Sequence, residues 1–129
     1  MLSTNSQERK DTPVTTGVLD YFPDAIAAVA RLSKLGNEKH NPGEPLHWAK
    51  EKSTDEPDCI GRHLIDRGII DPDDGVMHDV KLAWRALANL QRRIEGGAIV
   101  FDEEIIAKIA AERAAKRNAE PKPIAHHSV

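Results

Sequence analysis

Apolar residues recur at helical spacing along most of this chain, and the clearest run lies in its second half. That run consists of Val76, Val80, Ala83, Leu87, Leu90 and Ile94. Steps of alternately four and three residues place these side chains on one side of an α-helix. The pattern therefore predicts a long helix that follows the turn at residues 71–75, reaches about Glu95 and ends at Gly96 and Gly97.

Three more helices are predicted from the signals at their ends, over residues 20–35, 58–67 and 102–117. Pro23 suits a first helical turn, and Gly36 and Gly68 suit the position just after a helix end. Asp55 and Asp102 are candidate caps. We therefore expect one helical domain over residues 19–117, between a flexible arm at residues 1–18 and a disordered tail at residues 118–129.

The composition agrees with an all-α class. Two Trp, two Phe and one Tyr leave the 129-residue chain poor in aromatic side chains, whereas Ala, Leu and Ile favour helix packing.

Cys59 is the single cysteine, which excludes an internal disulfide, and the start of the chain lacks the apolar run of a signal peptide or a membrane span. A net charge of −3 makes non-specific nucleic-acid binding unfavourable. We expect a cytoplasmic protein that binds neither membranes nor nucleic acids.

Candidate chemistry is concentrated in the connection that follows the first predicted helix. Its polar and aromatic residues are Glu38, Lys39, His40, Asn41, His47, Trp48, Lys50, Lys52 and Ser53. Trp48 and His47 can stack on or hydrogen-bond a purine, and Asn41 can read its edge. A packing role for Trp48 under the loop is the equal alternative. Lys50, Lys52 and Ser53 precede a helix start, where free amides favour an anion.

Two further groups of polar residues each share one side of a helix. Arg62, His63 and Asp66 share a side of the short helix, and His78, Lys81 and Arg85 form a stripe on the long one. Either group can be a solvated surface. As a functional site, the second group would clamp a polyphosphate, because arginine forks over phosphate oxygens while lysine and histidine add point charges.

Three blocks of sequence resemble the phage dATP/dGTP diphosphohydrolase family in both order and spacing. They are GNEKHNPGEPLHW at residues 36–48, RHLIDRG at residues 62–68 and DGVMHDVKLAWRAL at residues 74–87. That family is related to MazG within the all-α nucleoside triphosphate pyrophosphohydrolases. The chain also resembles the MazZ branch, which serves phages that replace adenine by 2-aminoadenine. The resemblance covers roughly residues 20–95.

The resemblance implies a MazG-like bundle of about four helices that assembles as a homodimer or homotetramer. It also implies hydrolysis of purine deoxynucleoside triphosphates between the α and β phosphates, with Mg²⁺ or Mn²⁺ as the cofactor. The products would be the nucleoside monophosphate and pyrophosphate. Because Asn41 and His47 can satisfy the O6 and 2-amino groups of guanine, we expect dGTP to be preferred.

For the metal ligands, the resemblance implies Glu38, Asp58, Asp66 and Asp79, with Glu38, Asp66 and Asp79 also catalytic. The chain departs from the MazG pattern at two places. His63-x-x-Asp66 stands where that family has Glu-x-x-Glu, and Val76 stands where Asp79 would have an upstream Glu partner. Trp84 and Cys59 are expected to pack in the interior.

Two other functions are compatible with the sequence. The pair His78-Asp79 is typical of HD-domain phosphohydrolases, which release tripolyphosphate, although that fold generally needs a larger helical body and well-separated His and Asp partners. A helical binding or scaffold protein would keep the fold without catalysis, as the missing glutamates of both MazG motifs allow.

Overall fold

The computed structural model describes residues 2–52 and 55–121, and its regular structure is helical throughout. The α-helices in these ranges are α1 (Ser6–Lys10), α2 (Pro23–His40), α3 (Glu56–Ile65), α4 (His78–Glu95) and α5 (Glu103–Ala119). A π-helical turn at Thr15–Leu19 precedes α2, and a 3-10 turn at Lys50–Lys52 precedes α3. The predicted all-α class is confirmed. Within the same ranges, every helix is too short or too polar to cross a membrane.

Several helix ends follow the predicted signals. Pro23 opens α2, and the Asp102 carboxylate accepts a hydrogen bond from the Ile105 amide at 3.0 Å at the start of α5. Gly68 and Gly97, at φ of +80° and +86°, follow the ends of α3 and α4. A left-handed backbone after a helix is accessible to glycine at little cost, which explains both stops.

The end of α2 differs from the prediction. The helix continues through Gly36 to His40, so Gly36 is an interior residue and the predicted stop there is wrong. Pro42 supplies the actual stop, because a residue before proline is driven out of the α region, and Asn41 has φ of −135° and ψ of 56°. Glu38 therefore lies on the helix, not in a loop beyond it.

The connection between α3 and α4 is held by its backbone. Ile70 and Met77 form an antiparallel bridge, and the Asp71 amide donates to the Val76 carbonyl at 2.9 Å. Gly75, at φ of +74°, completes the predicted turn. The long helix starts after this bridge at His78, so Val76, the first residue of the predicted apolar stripe, lies outside it.

The two ends of the chain contain more helix than predicted. Asn5 accepts hydrogen bonds from the amides of Gln7 and Glu8 and so caps α1 within the predicted arm. At the other end, α5 continues through Asn118 to Ala119, so the predicted tail cannot begin at residue 118. Residues 122–129 of that tail lie outside the described residues, and the mobility of both segments stays a prediction.

The chain divides between Arg92 and Arg93 into two compact units. Among the described residues, the buried ones are Cys59, Ala88 and the charged Glu56, so the core is thin. The packing role predicted for Cys59 is confirmed. By contrast, Leu87, Leu90 and Ile94 on the apolar stripe of α4 are 52%, 46% and 46% exposed.

Candidate functional site

Two histidines from different helices meet at the junction of α3 and α4. The Nδ1 atoms of His63 and His78 lie 2.9 Å apart, and the ring centroids lie 5.2 Å apart. A hydrogen bond between two Nδ1 atoms needs one N–H donor and one unprotonated acceptor. The bonded pair therefore carries at most one positive charge, and both Nε2 atoms are left for other partners.

The surroundings of this pair are electropositive. Burial lowers the pKa of His63 below its ordinary value, and the nearby cationic groups lower it further. Those groups are His78, Lys81, Arg85 and Arg62. A potential that opposes a further proton favours an anion. The structure thus brings His63 and His78 into contact, with Lys81, Arg85 and Arg62 close enough to lower the pKa of His63.

The two arginines of this cluster are held differently. Arg62 donates from Nη2 to the Cys59 sulfur at 3.0 Å. Arg85 lies with its Nη1 atom 3.6 Å from Glu56 Oε1 and its guanidinium 5.5 Å from the centroid of the Trp84 ring. About a third of the Arg85 side chain stays exposed.

Lys81 contacts two carboxylates, although its stripe with His78 and Arg85 predicted that it would contact phosphate. Its ammonium lies 2.7 Å from Asp71 Oδ2 and 2.5 Å from Asp74 Oδ2. Burial opposes its charge, but the hydrogen bonds to both carboxylates outweigh burial and raise the pKa of Lys81. Lys81 thereby ties α4 to the preceding turn. Its predicted contact with phosphate would have to compete with these two acids.

This tie leads to a prediction about acid stability. Hydrogen bonds from Lys81 lower the pKa of both Asp71 and Asp74. A carboxyl group with a lowered pKa in the folded state stabilises the fold above its ordinary pKa, and this contribution is lost as the pH falls through the lowered value. We expect the urea midpoint to fall as the pH drops below about 4, and to fall less in Lys81→Met. Lys10→Met, on the exposed helix α1, is the control. An unchanged pH profile in Lys81→Met would contradict the tie.

The loop at residues 41–49, here called the Trp48 loop, packs against α4 through the Trp48 indole. The Trp48 and Trp84 rings meet edge to face with centroids 5.4 Å apart, and Trp84 Nε1 donates to Ser33 Oγ at 2.8 Å. Lys50 Nζ and the Arg92 guanidinium lie 5.0 Å and 5.7 Å from the Trp48 centroid. These contacts favour the packing alternative for Trp48 and agree with the packing role of Trp84. Stacking of Trp48 on a base stays a prediction.

Asn37, which the sequence analysis did not single out, organises the rest of this loop. Its Nδ2 donates to the Glu44 carbonyl at 3.0 Å, while its Oδ1 accepts from Asn41 Nδ2 at 3.2 Å and from the His47 amide at 3.4 Å. The Asn41 side chain, predicted to read a base, is thus engaged within the loop. His47 is exposed, with its Nδ1 atom 3.2 Å from the Pro45 carbonyl.

The remaining predicted binding residues lie at the two ends of this connection. Lys39 and His40 are exposed in the last turn of α2, and Lys50 begins the turn Lys50–Lys52. Ser53 lies outside the described residues.

The four carboxylates predicted as metal ligands are spread over α2, both ends of α3 and the start of α4. Glu38 faces Lys34 on α2 at 3.8 Å, and Asp58 is exposed in the first turn of α3. Asp66 caps the C-terminal end of α3, and Asp79 accepts a hydrogen bond from the Gly68 amide at 2.6 Å. In the part of the chain that the structure describes, His, Cys, Asp and Glu side chains do not gather in threes as a metal cage would need. Mg²⁺ or Mn²⁺ as a cofactor stays a prediction.

Sequence reasoning also missed Glu56 and Arg92. Glu56 is buried, and its second oxygen, Oε2, lies 3.6 Å from Arg92 Nη1. The signal was present, since Arg85 and Arg92 are seven residues apart and therefore share one side of α4. Their shared acidic partner follows from the contacts between α3 and α4, which no local pattern encodes.

No family model, curated protein or solved structure matches this chain.

Proposed function

We propose that this protein hydrolyses purine deoxynucleoside triphosphates, preferably dGTP, to the monophosphate and pyrophosphate with Mg²⁺ or Mn²⁺. The observation that supports this most is the contact of His63 with His78 at the junction of α3 and α4, where nearby cationic groups that include Arg62 and Arg85 lower the pKa of His63. A triphosphate is a dense anion, and guanidinium groups bind its oxygens through paired N–H donors. The family resemblance supplies the reaction type.

The histidine pair can serve the phosphates in two protonation states. While the pair is neutral, the ring that accepts at Nδ1 carries its proton on Nε2, and the other ring has a free Nε2 lone pair. One proton more turns both Nε2 atoms into donors. A bound phosphate would favour that charged state, because an anion nearby offsets the surrounding cations.

Two acids border the same junction. Asp66 ends α3, and Asp79 in the first turn of α4 is bonded to the Gly68 amide. Mg²⁺ needs no dedicated cage, since it is commonly bound by one or two carboxylates together with substrate phosphates and waters. When bound, such an ion would activate water and neutralise phosphate charge. We assign Asp66 and Asp79 to hold it, with Glu38 and Asp58 as further candidates.

The proposal is tested by measuring pyrophosphate release from each of the four dNTPs, using the purified full chain and Mg²⁺ or Mn²⁺. We expect release to be fastest with dGTP, slower with dATP and poor with dCTP and dTTP. A site that hydrogen-bonds a guanine edge rejects bases that lack its donors and acceptors. Preferred cleavage of dCTP would contradict the base assignment, and an inert protein would favour the scaffold alternative.

We also propose that the protein self-associates, at least as a dimer. Leu87 and Leu90 on α4 are about half exposed, with Ile94 one turn further along the same stripe. Exposed apolar area of this kind is costly in water and is typical of an interface. Light scattering at micromolar concentration should show a dimer or larger, and Leu90→Lys should shift it toward the monomer. Leu46→Lys, in the exposed loop, is the control. A monomeric wild-type chain would contradict the proposal.

A further inference from the structure

We infer that Glu56 is a positioning residue, which holds the Arg85 guanidinium at the triphosphate site; this inference rests on the proposed function. Glu56 opens α3, and its side chain is only 4% exposed. A buried carboxylate is strongly unfavourable unless it is paired. Its two oxygens face two different arginines of α4, Oε1 toward Arg85 and Oε2 toward Arg92, each at 3.6 Å.

The two arginines have different roles in this arrangement. Arg92 is directed inward, over the Trp48 ring, and its Nε and Nη2 atoms are fully buried without a hydrogen-bond partner among the described residues. Arg85 lies over Trp84 and follows His78 by two helical turns on α4, and both arginine side chains are partly exposed. Arg92 therefore belongs to the support of the Trp48 loop, whereas Arg85 lies on the side of α4 that carries His78.

Restraint of Arg85 matters because an arginine side chain is long and flexible. Fixing it on binding costs rotamer entropy. The Glu56 carboxylate on one side and the Trp84 ring on another reduce the number of rotamers before any ligand arrives. Without the carboxylate, the like charges of Arg85 and Arg92 would repel each other and Arg85 would move away from His63.

The test measures the binding of inorganic tripolyphosphate to the full chain by calorimetry, so it does not depend on turnover. Glu56→Gln should weaken binding about tenfold, the loss that corresponds to 1.4 kcal/mol. Glu56→Asp, which keeps the charge on a shorter side chain, should stay within about threefold of wild type. In the Arg85→Ala background neither change should weaken binding further, because the residue that Glu56 positions is gone. Glu51→Gln, on the exposed 3-10 turn, is the control.

A purely structural role for Glu56 would lower the melting temperature while leaving the affinity of the folded protein unchanged, and that result would overturn the inference. If Glu56→Gln does not fold, Glu56→Asp takes its place, and a loss of about tenfold or more that persists in the Arg85→Ala background would be the contradicting result. A wild-type chain that binds no tripolyphosphate also overturns it. A chain that binds tripolyphosphate with the predicted coupling but leaves dGTP intact would remove the proposed function and keep the role of Glu56.

Discussion

Replacement of Arg85 by alanine is expected to lower kcat/KM for dGTP by about 100-fold, the usual loss when one preorganised donor to a developing anion is removed. Arg85 combines partial exposure, an ion pair with Glu56 and a place two helical turns after His78 on α4, so we expect it to meet a phosphate. Its loss should leave the affinity for deoxyguanosine unchanged, because the nucleoside has no phosphate. Steady-state kinetics and nucleoside titration together measure both effects.

Two matched variants make this result specific. Arg85→Lys keeps the charge without the planar fork and should fall between wild type and Arg85→Ala. Arg67→Ala removes an exposed arginine that donates to the Leu64 carbonyl at the end of α3, and it should leave kcat/KM unchanged. If Arg85→Ala stays within twofold of wild type, the phosphates bind elsewhere.

A loss of similar or greater size is expected from Asp66→Asn and Asp79→Asn. Each change keeps the size of the side chain and removes the charge that would hold the divalent ion. In Asp79→Asn the new side-chain amide still offers an oxygen to the Gly68 amide, so the fold should be retained. Because a metal ion contributes several kcal/mol to the transition state, we expect kcat to fall by about 100-fold or more. Excess EDTA should abolish wild-type turnover, and added Mg²⁺ should restore it.

Circular dichroism of both variants should match wild type, and Asp24→Asn, in the first turn of α2, should be fully active. Rates near wild type for both Asp66→Asn and Asp79→Asn would show that other residues hold the ion. Full turnover in EDTA would remove the ion from the mechanism.

Much of the helical framework was predictable, because its signals are local. The alternating apolar spacing gives α4, the Asp102 cap gives the start of α5, and the glycines at positive φ give the stops after α3 and α4. The predicted end of α2 at Gly36 was wrong for an equally physical reason. Glycine permits a helix stop without requiring one, and the restriction that Pro42 places on Asn41 decided the outcome.

The candidate site was predictable only in part. Helical spacing places Arg62 and His63 on α3 and His78 and Arg85 on α4 as two groups, and the site role of each group stays a prediction. Helical spacing could not show that His63 and His78 meet, since the bridged turn at Ile70 and Met77 brings them together. Glu56 was missed for the same reason, because its partners lie on another helix. For Lys81, the acids that neutralise it come from the turn and not from its own stripe.

The most direct test is the identity of both products from dGTP, determined by phosphorus NMR and chromatography of one reaction with Mg²⁺. The proposed chemistry breaks the bond between the α and β phosphates, so dGMP and pyrophosphate should appear in equal amounts. An HD-type enzyme would instead give deoxyguanosine and tripolyphosphate. Equal amounts of dGMP and pyrophosphate would support the proposed pyrophosphohydrolase, whereas deoxyguanosine with tripolyphosphate would contradict it.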